Sequence, residues 1–253
     1  MWSFFCSSNT NLLKAQFFCL FLYRFRGNFH HQNLIDSMTP ERFQKIKNVL
    51  DKRQPDLTIV MDNVHKPHNL AAIIRSCDAI GIGHIHGISK NHDKVGVNLK
   101  AASGSNHWVR LHTHTNKRKL FANLKDKGYT IFAANNSAKA IDFRTADFTN
   151  ASTIILGAEL DGVSDEAIEL SDQEIKIPMN GMVESLNVSV ANAVILFEIQ
   201  RQRQRANLYK KRQIDNYEYE RLLFEFSYPE VAQILNKKGE SYPKLDDNGQ
   251  VIA

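Results

Sequence analysis

Polar side chains gather where an apolar segment of the chain ends, and two such places could hold a ligand. In the first, Glu159 lies in the loop from Gly157 to Gly162, directly after the apolar residues 153–156. Ligands of α/β proteins bind at the carboxyl ends of strands, and a glycine lets a ligand approach the backbone closely. A carboxylate in this loop could therefore face a bound ligand. The alternative is that Glu159 is a solvent-exposed turn residue.

The second place is the stretch 177–198, in which a polar loop around Pro178 and Gly181 leads into a helix. Serine and asparagine favour helix ends over helix interiors, and four of them follow the loop: Ser185, Asn187, Ser189 and Asn192. They predict an entrance lined with neutral hydrogen-bonding groups. The alternative is an ordinary helix cap at Ser185 followed by polar surface residues. The predicted buried face of this helix is an apolar row at helical spacing: Leu186, Val190, Ala193 and Phe197.

Neighbouring elements must position these segments, and the chain alternates short apolar strands with amphipathic helices. Such alternation is typical of an α/β fold with a mostly parallel sheet flanked by helices. One helix is predicted to run from a cap at Asn69 to Gly81, with Arg75 outside its apolar stripe. The predicted stripe consists of Leu70, Ile73, Ile74, Cys77 and Ile80.

Composition and missing motifs narrow the classes of function. The apolar fraction of 43% supports a buried core, and the net charge of +5 is compatible with a polyanionic partner. The three cysteines form neither a CxxC pair nor a zinc pattern with histidine, which predicts a reduced, cytoplasmic protein without a metal. The strand-to-helix junctions lack GxGxxG, a P-loop and GxSxG. Dinucleotide binding, P-loop chemistry and serine hydrolysis are therefore poorly supported.

Two segments are dense in positive charge. Residues 38–55 predict a basic helix, and residues 201–213 contain six basic side chains and no acidic one. A basic stripe of this density in a basic chain indicates contact with phosphate groups. The alternative is a solvated helix end, where cations are favoured. The residues predicted to contact phosphates are Lys45, Lys52, Arg53, Arg201, Arg203 and Arg205.

Residues 1–37 differ from the rest of the chain because they hold seven of its 15 phenylalanines. Their densest apolar run, residues 17–23, is too short to span a bilayer. A membrane-associated tail is one interpretation. The preferred one is an N-terminal appendage outside the fold, with Met38 as the effective start. The predicted organisation is then a basic helix at 38–55, a catalytic domain at 56–200 and a basic helical extension at 201–253.

Three of these segments together resemble a known family. HNLAAIIRSCDAIG (68–81), ILGAELDG (155–162) and IPMNGMVESLNVSVANAVILFE (177–198) are similar to the three motifs of the SpoU/TrmH family of SPOUT RNA 2′-O-ribose methyltransferases. The match begins near Met38 and continues to the C-terminus. The resemblance implies an α/β domain with a C-terminal deep trefoil knot, S-adenosylmethionine as methyl donor, and a homodimer. No membrane or metal partner is implied.

The resemblance also implies an activity, namely methylation of the ribose 2′-OH of guanosine 18 in the D-loop of tRNA. The same motifs would serve an enzyme that methylates ribosomal RNA or another tRNA nucleotide. A different class of function is a catalytically silent RNA-binding module that keeps the fold. The presence of the complete motif set argues against that class.

Site residues follow from the matching positions. The resemblance implies a catalytic set of Asn69, Arg75, Glu159, Ser185 and Asn187. Arg75 would hold a phosphate and stabilise the developing alkoxide, since arginine stays protonated in proteins. Glu159 would hold Arg75 or the loop in place, and Ser185 and Asn187 would orient the cofactor loop and the ribose. The implied cofactor contacts, largely through the backbone, are Ala134, Gly157, Ile177, Met179, Leu186 and Asn187.

Overall fold

The protein was analysed as a computed structural model, which describes residues 38–89 and 108–252. The predicted N-terminal appendage and the polar loop expected at 90–100 lie outside the described residues. The chain divides into two compact units, one spanning residues 51–214 and the other made of the segments up to Leu50 and from Asp215 onward. Within the described residues, no helix combines the length and the apolarity needed to cross a membrane.

The larger unit is built on a seven-stranded parallel sheet. Its strands are β1 (Leu57–Asp62), β2 (His84–Ile88), β3 (Arg110–His114), β4 (Thr130–Ala134), β5 (Ile141–Asp142), β6 (Ser152–Leu156) and β7 (Gln173–Lys176). The order across the sheet is β3-β2-β1-β6-β4-β7-β5, and every neighbouring pair is parallel. The prediction of a mostly parallel α/β sheet is therefore confirmed. The short strand β5 has no counterpart in the prediction.

The central strands β1 and β6 are buried on both faces, as expected for a parallel sheet covered by helices. They pair from Leu57↔Ser152 to Met61↔Leu156. This register brings the carboxyl ends of the two strands to the same edge. The loop that carries Glu159 begins at that edge, directly after β6.

The helices are numbered along the chain, and α1, α6 and α7 belong to the smaller unit. They are α1 (Pro40–Leu50), α2 (Pro67–Ala79), α3 (Lys117–Asp126), α4 (Asp165–Leu170), α5 (Val188–Arg205), α6 (Asn216–Ser227) and α7 (Pro229–Lys238). The caps of α3 and α4 are side chains at the N-cap position: Asn116 accepts from the amide of Lys119, and Ser164 accepts from the amide of Ala167. Gly128, with φ of 80°, follows the end of α3, where a residue with positive φ commonly ends a helix.

Helix α2 confirms its predicted apolar stripe, but its start is not where the sequence placed it. All five stripe residues are buried, whereas the helix begins at Pro67, two residues before Asn69. Proline is favoured in the first turn, because its missing N–H would have no partner there. Asn69 is consequently inside the first turn, buried and available for contacts across the molecule.

Helix α5 buries a different face from the one predicted. Its buried residues are Asn192, Ile195, Leu196, Ile199 and Arg203. Val190, Val194 and Phe197 are exposed instead, Phe197 by 52%. Two apolar rows therefore run along this helix, and one of them faces outward. Asn192 points into the protein and does not belong to a polar entrance.

Two of the predicted RNA contacts are internal. The side chain of Arg203 is fully buried and donates to the carbonyls of Phe148 and Asn150, at 2.9 and 2.8 Å, and to Asp56 at 2.6 Å. Arg53 is 3% exposed and donates to the carbonyls of Ile82 and Trp108, among other partners. The prediction that these two arginines contact RNA is wrong, because their guanidinium groups already satisfy buried acceptors inside the larger unit.

The smaller unit joins α1 to the C-terminal helices. Phe43, Ile46 and Leu50 form the buried face of α1, and Gly249 packs so closely on the Phe43 ring that an added Cβ would lie 2.6 Å from it. This grouping differs from the predicted boundary after residue 200, since α5 continues to Arg205 within the larger unit.

Candidate active site

A pocket of about 530 Å³ opens at the carboxyl ends of β4, β6 and β7. Its walls come from the three loops that follow these strands and from the first turns of α5. A volume of this size is typical of sites for small molecules and cofactors. All six residues predicted to contact a cofactor line the pocket: Ala134, Gly157, Ile177, Met179, Leu186 and Asn187.

The loop after β6 folds back tightly on itself. The backbones of Ala158 and Gly162 exchange two hydrogen bonds of 2.9 Å, and Gly162 has a positive φ of 68°. A Cβ on Gly157 would lie 2.0 Å from the carbonyl carbon of Gly162, so no side chain fits there. Glycine at 157 is therefore required by the loop itself, and not only by the approach of a ligand as the sequence suggested.

The closed loop presents Glu159 to two asparagines from distant segments. The amide nitrogen of Asn69 donates to Oε1 of Glu159 at 2.6 Å, and the amide of Asn187 donates to Oδ1 of Asn69 at 3.2 Å. Asn187 is the N-cap of α5, where its Oδ1 accepts from the backbone N–H and the hydroxyl of Ser189. We call Asn187, Asn69 and Glu159 the polar chain. It links the starts of α5 and α2 to the loop after β6 at the rim of the pocket.

The polar chain keeps Glu159 ionised. Burial raises the pKa of the Glu159 carboxyl, but the hydrogen bond from Asn69 and the charges of His65 and Lys66 outweigh this effect, so the pKa lies below its usual range. The second carboxylate oxygen, Oε2, is buried and makes no hydrogen bond within the described part of the chain. A buried carboxylate oxygen without a donor is costly, and a bound ligand could supply the missing donor.

The remaining two predicted catalytic residues are placed differently. Ser185 is exposed and lines the pocket, and it is not the cap of α5. Arg75 is exposed on α2, does not line the pocket, and makes no hydrogen bond or ion pair with any residue that the structure describes. Of the two roles expected for Glu159, to hold Arg75 or to hold the loop, the structure shows no contact between Glu159 and Arg75, and the hydrogen bond from Asn69 to Glu159 agrees with the second.

Sequence reasoning missed several polar residues of the pocket, among them Lys66, Lys176, Asn135, Asn136 and Glu184. Asn135 and Asn136 follow β4 directly, and Glu184 lies in the loop before α5. Asn135 donates to Glu174 at 2.7 Å, and Asn136 donates to the carbonyl of Glu184 at 3.2 Å. Their position directly after a strand is the signal that could have identified the two asparagines, since ligand-binding residues follow strand ends in parallel sheets.

The pocket suits the predicted cofactor, S-adenosylmethionine, in size and in chemistry. Buried apolar side chains of Leu156, Ile175 and Ile195 form one wall, which fits a purine ring. Glu159 and Glu184 supply negative charge for a ligand that carries a sulfonium and an ammonium group. The Oε2 of Glu159 is buried and lacks a hydrogen-bond partner within the described residues.

The four remaining predicted RNA contacts lie on the surface. Lys45, Lys52 and Arg205 are exposed, and Arg201 is half exposed with a bidentate ion pair to Glu198. Exposed basic side chains of this kind are accessible to a polyanion.

Two family models match this chain over most of its length. The model described as SpoU rRNA Methylase family matches residues 56–197, and the one described as SpoU, rRNA methylase, C-terminal, matches residues 201–253. The first match contains the whole pocket and the polar chain.

Individual proteins match with high coverage. The chain is 44% identical over 218 residues to the tRNA (guanosine(18)-2′-O)-methyltransferase of Escherichia coli strain K12, which covers 85% of this chain and 95% of that protein. It is 46% identical over 188 residues to a protein of the same name from Thermus thermophilus, covering 74% and 96%. The crystal structure of the A. aeolicus TrmH/SpoU tRNA modifying enzyme superimposes with a TM-score of 0.70 at 37% identity, covering 76% of this chain and 97% of that one.

Proposed function

The chain belongs to the SpoU rRNA methylase family, and we propose that it is a tRNA methyltransferase that modifies the ribose 2′-OH of guanosine 18. The methyl donor is S-adenosylmethionine. Although the family model carries ribosomal RNA in its description, the two highly similar relatives described above act on guanosine 18 of tRNA by name. The observation that carries the proposal is the pocket at the carboxyl ends of β4, β6 and β7, with the polar chain at its rim.

In this proposal the pocket residues hold the donor in one orientation. Backbone groups around Gly157, Ile177 and Leu186 surround it, and the apolar wall excludes water from the reacting centre. The bound donor supplies an electrophilic methyl group on a positively charged sulfur. Because that charge disperses during transfer, a partly apolar site does not oppose the reaction, and positioning provides most of the acceleration.

The polar chain and Arg75 have separate roles in the proposed reaction. Asn69 and Asn187 fix the carboxylate of Glu159, and thereby the loop after β6, relative to the entrance of α5. Arg75 is a permanent cation without a partner in the described residues, so it can hold an RNA phosphate and stabilise the negative charge that develops on the 2′-oxygen. The proton of the 2′-OH leaves to phosphate or water, since a guanidinium cannot accept it.

One assay tests the proposed function directly. The protein is incubated with labelled S-adenosylmethionine and an unmodified tRNA transcript, and the labelled nucleotide is mapped. We expect a single 2′-O-methylated guanosine at position 18, and no label in a transcript with 2′-deoxyguanosine there. Label in ribosomal RNA but not in tRNA would contradict the proposed substrate. Absence of both labelling and donor binding would indicate a silent RNA-binding module.

We also propose that the protein works as a homodimer. The exposed apolar row of α5 supports this assembly, because Val190, Val194 and Phe197 are adjacent on one helical face beside the pocket. A Phe197→Glu variant should shift the mass measured by light scattering from that of a dimer to that of a monomer. Val49→Glu lies on the smaller unit, outside this surface, and does not test it. A wild-type mass equal to one chain would contradict the proposal.

We also propose three further features: a trefoil knot, a cytoplasmic location and RNA contact by basic side chains. A trefoil knot requires the chain to thread through a loop, and the segment that leads into α5 passes beside the loop after β4, where Asn136 contacts Glu184. The cytoplasm is the proposed location, because the proposed tRNA substrate is modified there. RNA contact by Lys45, Lys52, Arg201 and Arg205 is proposed from their exposure and charge.

A further inference from the structure

A second groove, of about 620 Å³, lies between α3 and the edge of the sheet formed by β2 and β3. It shares no residue with the pocket of the proposed methyl transfer. Six side chains give this histidine groove its chemistry: His84, His86, His112, His114, Lys119 and Lys127.

Strand geometry brings the four imidazoles together. Residues two apart on a strand share one face, and His86 pairs in register with His112 of the neighbouring strand. His84 Nδ1 and His112 Nε2 are hydrogen-bonded at 2.9 Å, and His86 Nδ1 and His114 Nε2 at 3.0 Å. The rings of His84 and His112 stack with centroids 5.2 Å apart. The four rings form a ladder along the floor of the groove.

The electrostatics of the groove favour an anion. None of the described residues that line it is acidic. The titratable and charged groups among the described residues that line the groove or act on its members are His84, His86, Arg110, His112, His114, Lys119, Lys127 and Tyr129, together with Asp56 and Arg203, whose charges act on Tyr129. Burial, followed by the charges of the other imidazoles and of Lys127, lowers the pKa of His86 to about 3. Burial, Arg110 and Lys127 also lower the pKa of His112.

A metal ion does not fit this environment. Across the described residues, no three histidine, cysteine, aspartate or glutamate side chains are arranged to hold a metal ion. The neighbouring lysines would also repel a cation. The same lysines would attract phosphate. The imidazoles use N–H groups in the hydrogen bonds between them, but hydroxyl and amide groups of Thr113, Thr115 and Asn116 also line the groove and can donate to an anion.

We propose that the histidine groove binds phosphate groups of the RNA backbone, as a contact for tRNA outside the methyl-transfer pocket. This inference rests on the proposed function, which makes tRNA the substrate. Lys119 and Lys127 are eight residues apart on or directly after one helix, hence roughly 12 Å apart along its axis. Two cations at that distance match a polyanion better than a single phosphate ion. Each phosphate that they neutralise releases counterions and adds to affinity without selecting a base sequence.

Binding measurements on matched variants test the groove. The test variant is Lys119→Gln/Lys127→Gln, and the control is Lys125→Gln, on the same helix but paired with Asp172 outside the groove. Affinity for an unmodified tRNA transcript is measured across a salt series. We expect the double variant to bind about tenfold more weakly, with a salt slope flatter by about 1 to 2. The control should stay within about twofold of wild type. Equal affinities and slopes for all three proteins would overturn the proposal.

A second readout reports on the histidines themselves. The imidazole C–H resonances of His86 and His112 should shift when the tRNA transcript is added, and a His112→Asn variant should lose about threefold to tenfold in affinity. Unmoved resonances with full affinity in this variant would refute contact at the ladder. Inorganic phosphate and a mononucleotide are titrated in parallel. If the histidine resonances shift and saturate with phosphate or the mononucleotide at the same affinity as with RNA, the groove is a site for small anions and the RNA proposal is overturned.

The two proposals fail separately. If the protein methylates tRNA and the groove variants bind tRNA like wild type, the proposed function is supported and the groove proposal is overturned. If RNA binding depends on the groove but no methyl transfer occurs, the groove proposal is supported and the proposed function is overturned. The affinity for S-adenosylmethionine should be unchanged in every groove variant, because the groove and the pocket share none of the described residues that line them.

Discussion

The side-chain amide of Asn187 donates a 3.2 Å hydrogen bond to Oδ1 of Asn69, across 118 residues of sequence. Asn69 in turn donates to Glu159 at 2.6 Å, across a further 90 residues. Each asparagine uses its oxygen and its nitrogen for different partners, so each has one orientation that satisfies both bonds. The starts of α2 and α5 and the loop after β6 are thereby held in one arrangement by neutral amides and one carboxylate.

Replacing Asn69, the middle member of the polar chain, should loosen all three of these segments. In an Asn69→Ala variant, Glu159 loses its donor and Asn187 loses its acceptor, which costs about 1–3 kcal/mol if the groups stay buried. We expect S-adenosylmethionine affinity and kcat/KM to fall by about tenfold or more, measured by calorimetry and by tRNA methylation. The control is Asn48→Ala, an exposed amide in α1. If the Asn69→Ala variant bound S-adenosylmethionine as tightly as wild type does, the polar chain would have no role in the pocket.

The depressed pKa of Glu159 predicts how stability depends on pH. A carboxyl whose pKa is lower in the folded state stabilises the protein above its unfolded pKa, near 4.5, and this stabilisation is lost as the pH falls through the folded pKa. Glu159→Gln removes this titration. The difference in unfolding free energy between wild type and variant should therefore change between pH 6 and pH 3, with wild type losing more on acidification. A difference that is constant with pH would show that the pKa of Glu159 is not lowered.

Arg75 is expected to act on the RNA rather than on the donor. It is exposed and lies outside the pocket lining, so Arg75→Ala should leave the dissociation constant of S-adenosylmethionine unchanged while kcat falls by about 100-fold or more. Arg75→Lys keeps the charge but not the planar fork of donors, and it should recover only part of the activity. Loss of donor binding in Arg75→Ala would show that the side chain reaches the pocket in solution.

The elements of the sheet and the positions of the pocket loops could be predicted because they depend on local patterns. The apolar run at 153–156 predicted strand β6, and the spacing of Leu70, Ile73 and Ile74 predicted the buried face of α2. The loops at Glu159 and Pro178 could be placed at a ligand site because loops after parallel strands converge at one edge, whereas the individual pocket residues were named from the resemblance to the family's motifs. None of these inferences required knowledge of which distant residues touch.

The errors arose where a distant partner decides the outcome. Helix α5 carries two apolar rows, and periodicity identifies a helix without choosing which row is buried. Asn69 resembles a cap, but its amide is taken by Glu159, 90 residues away. Arg203 resembles its basic neighbours, but its acceptors include carbonyls 53 and 55 residues away. A count of basic residues cannot reveal those carbonyls.

The contrast between Arg203 and Arg205 gives the last prediction. Arg203 is fully buried and binds Asp56 and two carbonyls, whereas Arg205 is exposed. Arg203→Met should lower the free energy of unfolding by about 3 kcal/mol, because buried acceptors lose their donor. Arg205→Met should change it by less than about 0.5 kcal/mol. Urea denaturation at pH 7 measures both values.

The same pair separates stability from RNA binding. At a temperature where both variants are folded, Arg205→Met should weaken tRNA binding. The slope of log K against log salt should become shallower by the contribution of about one phosphate contact. Arg203→Met should leave the salt slope unchanged, since a guanidinium that is enclosed by carbonyls releases no counterion from RNA. A flatter slope in Arg203→Met would mean that its side chain leaves the interior when tRNA binds. A stable Arg203→Met protein with wild-type unfolding would contradict the structural role assigned to this arginine.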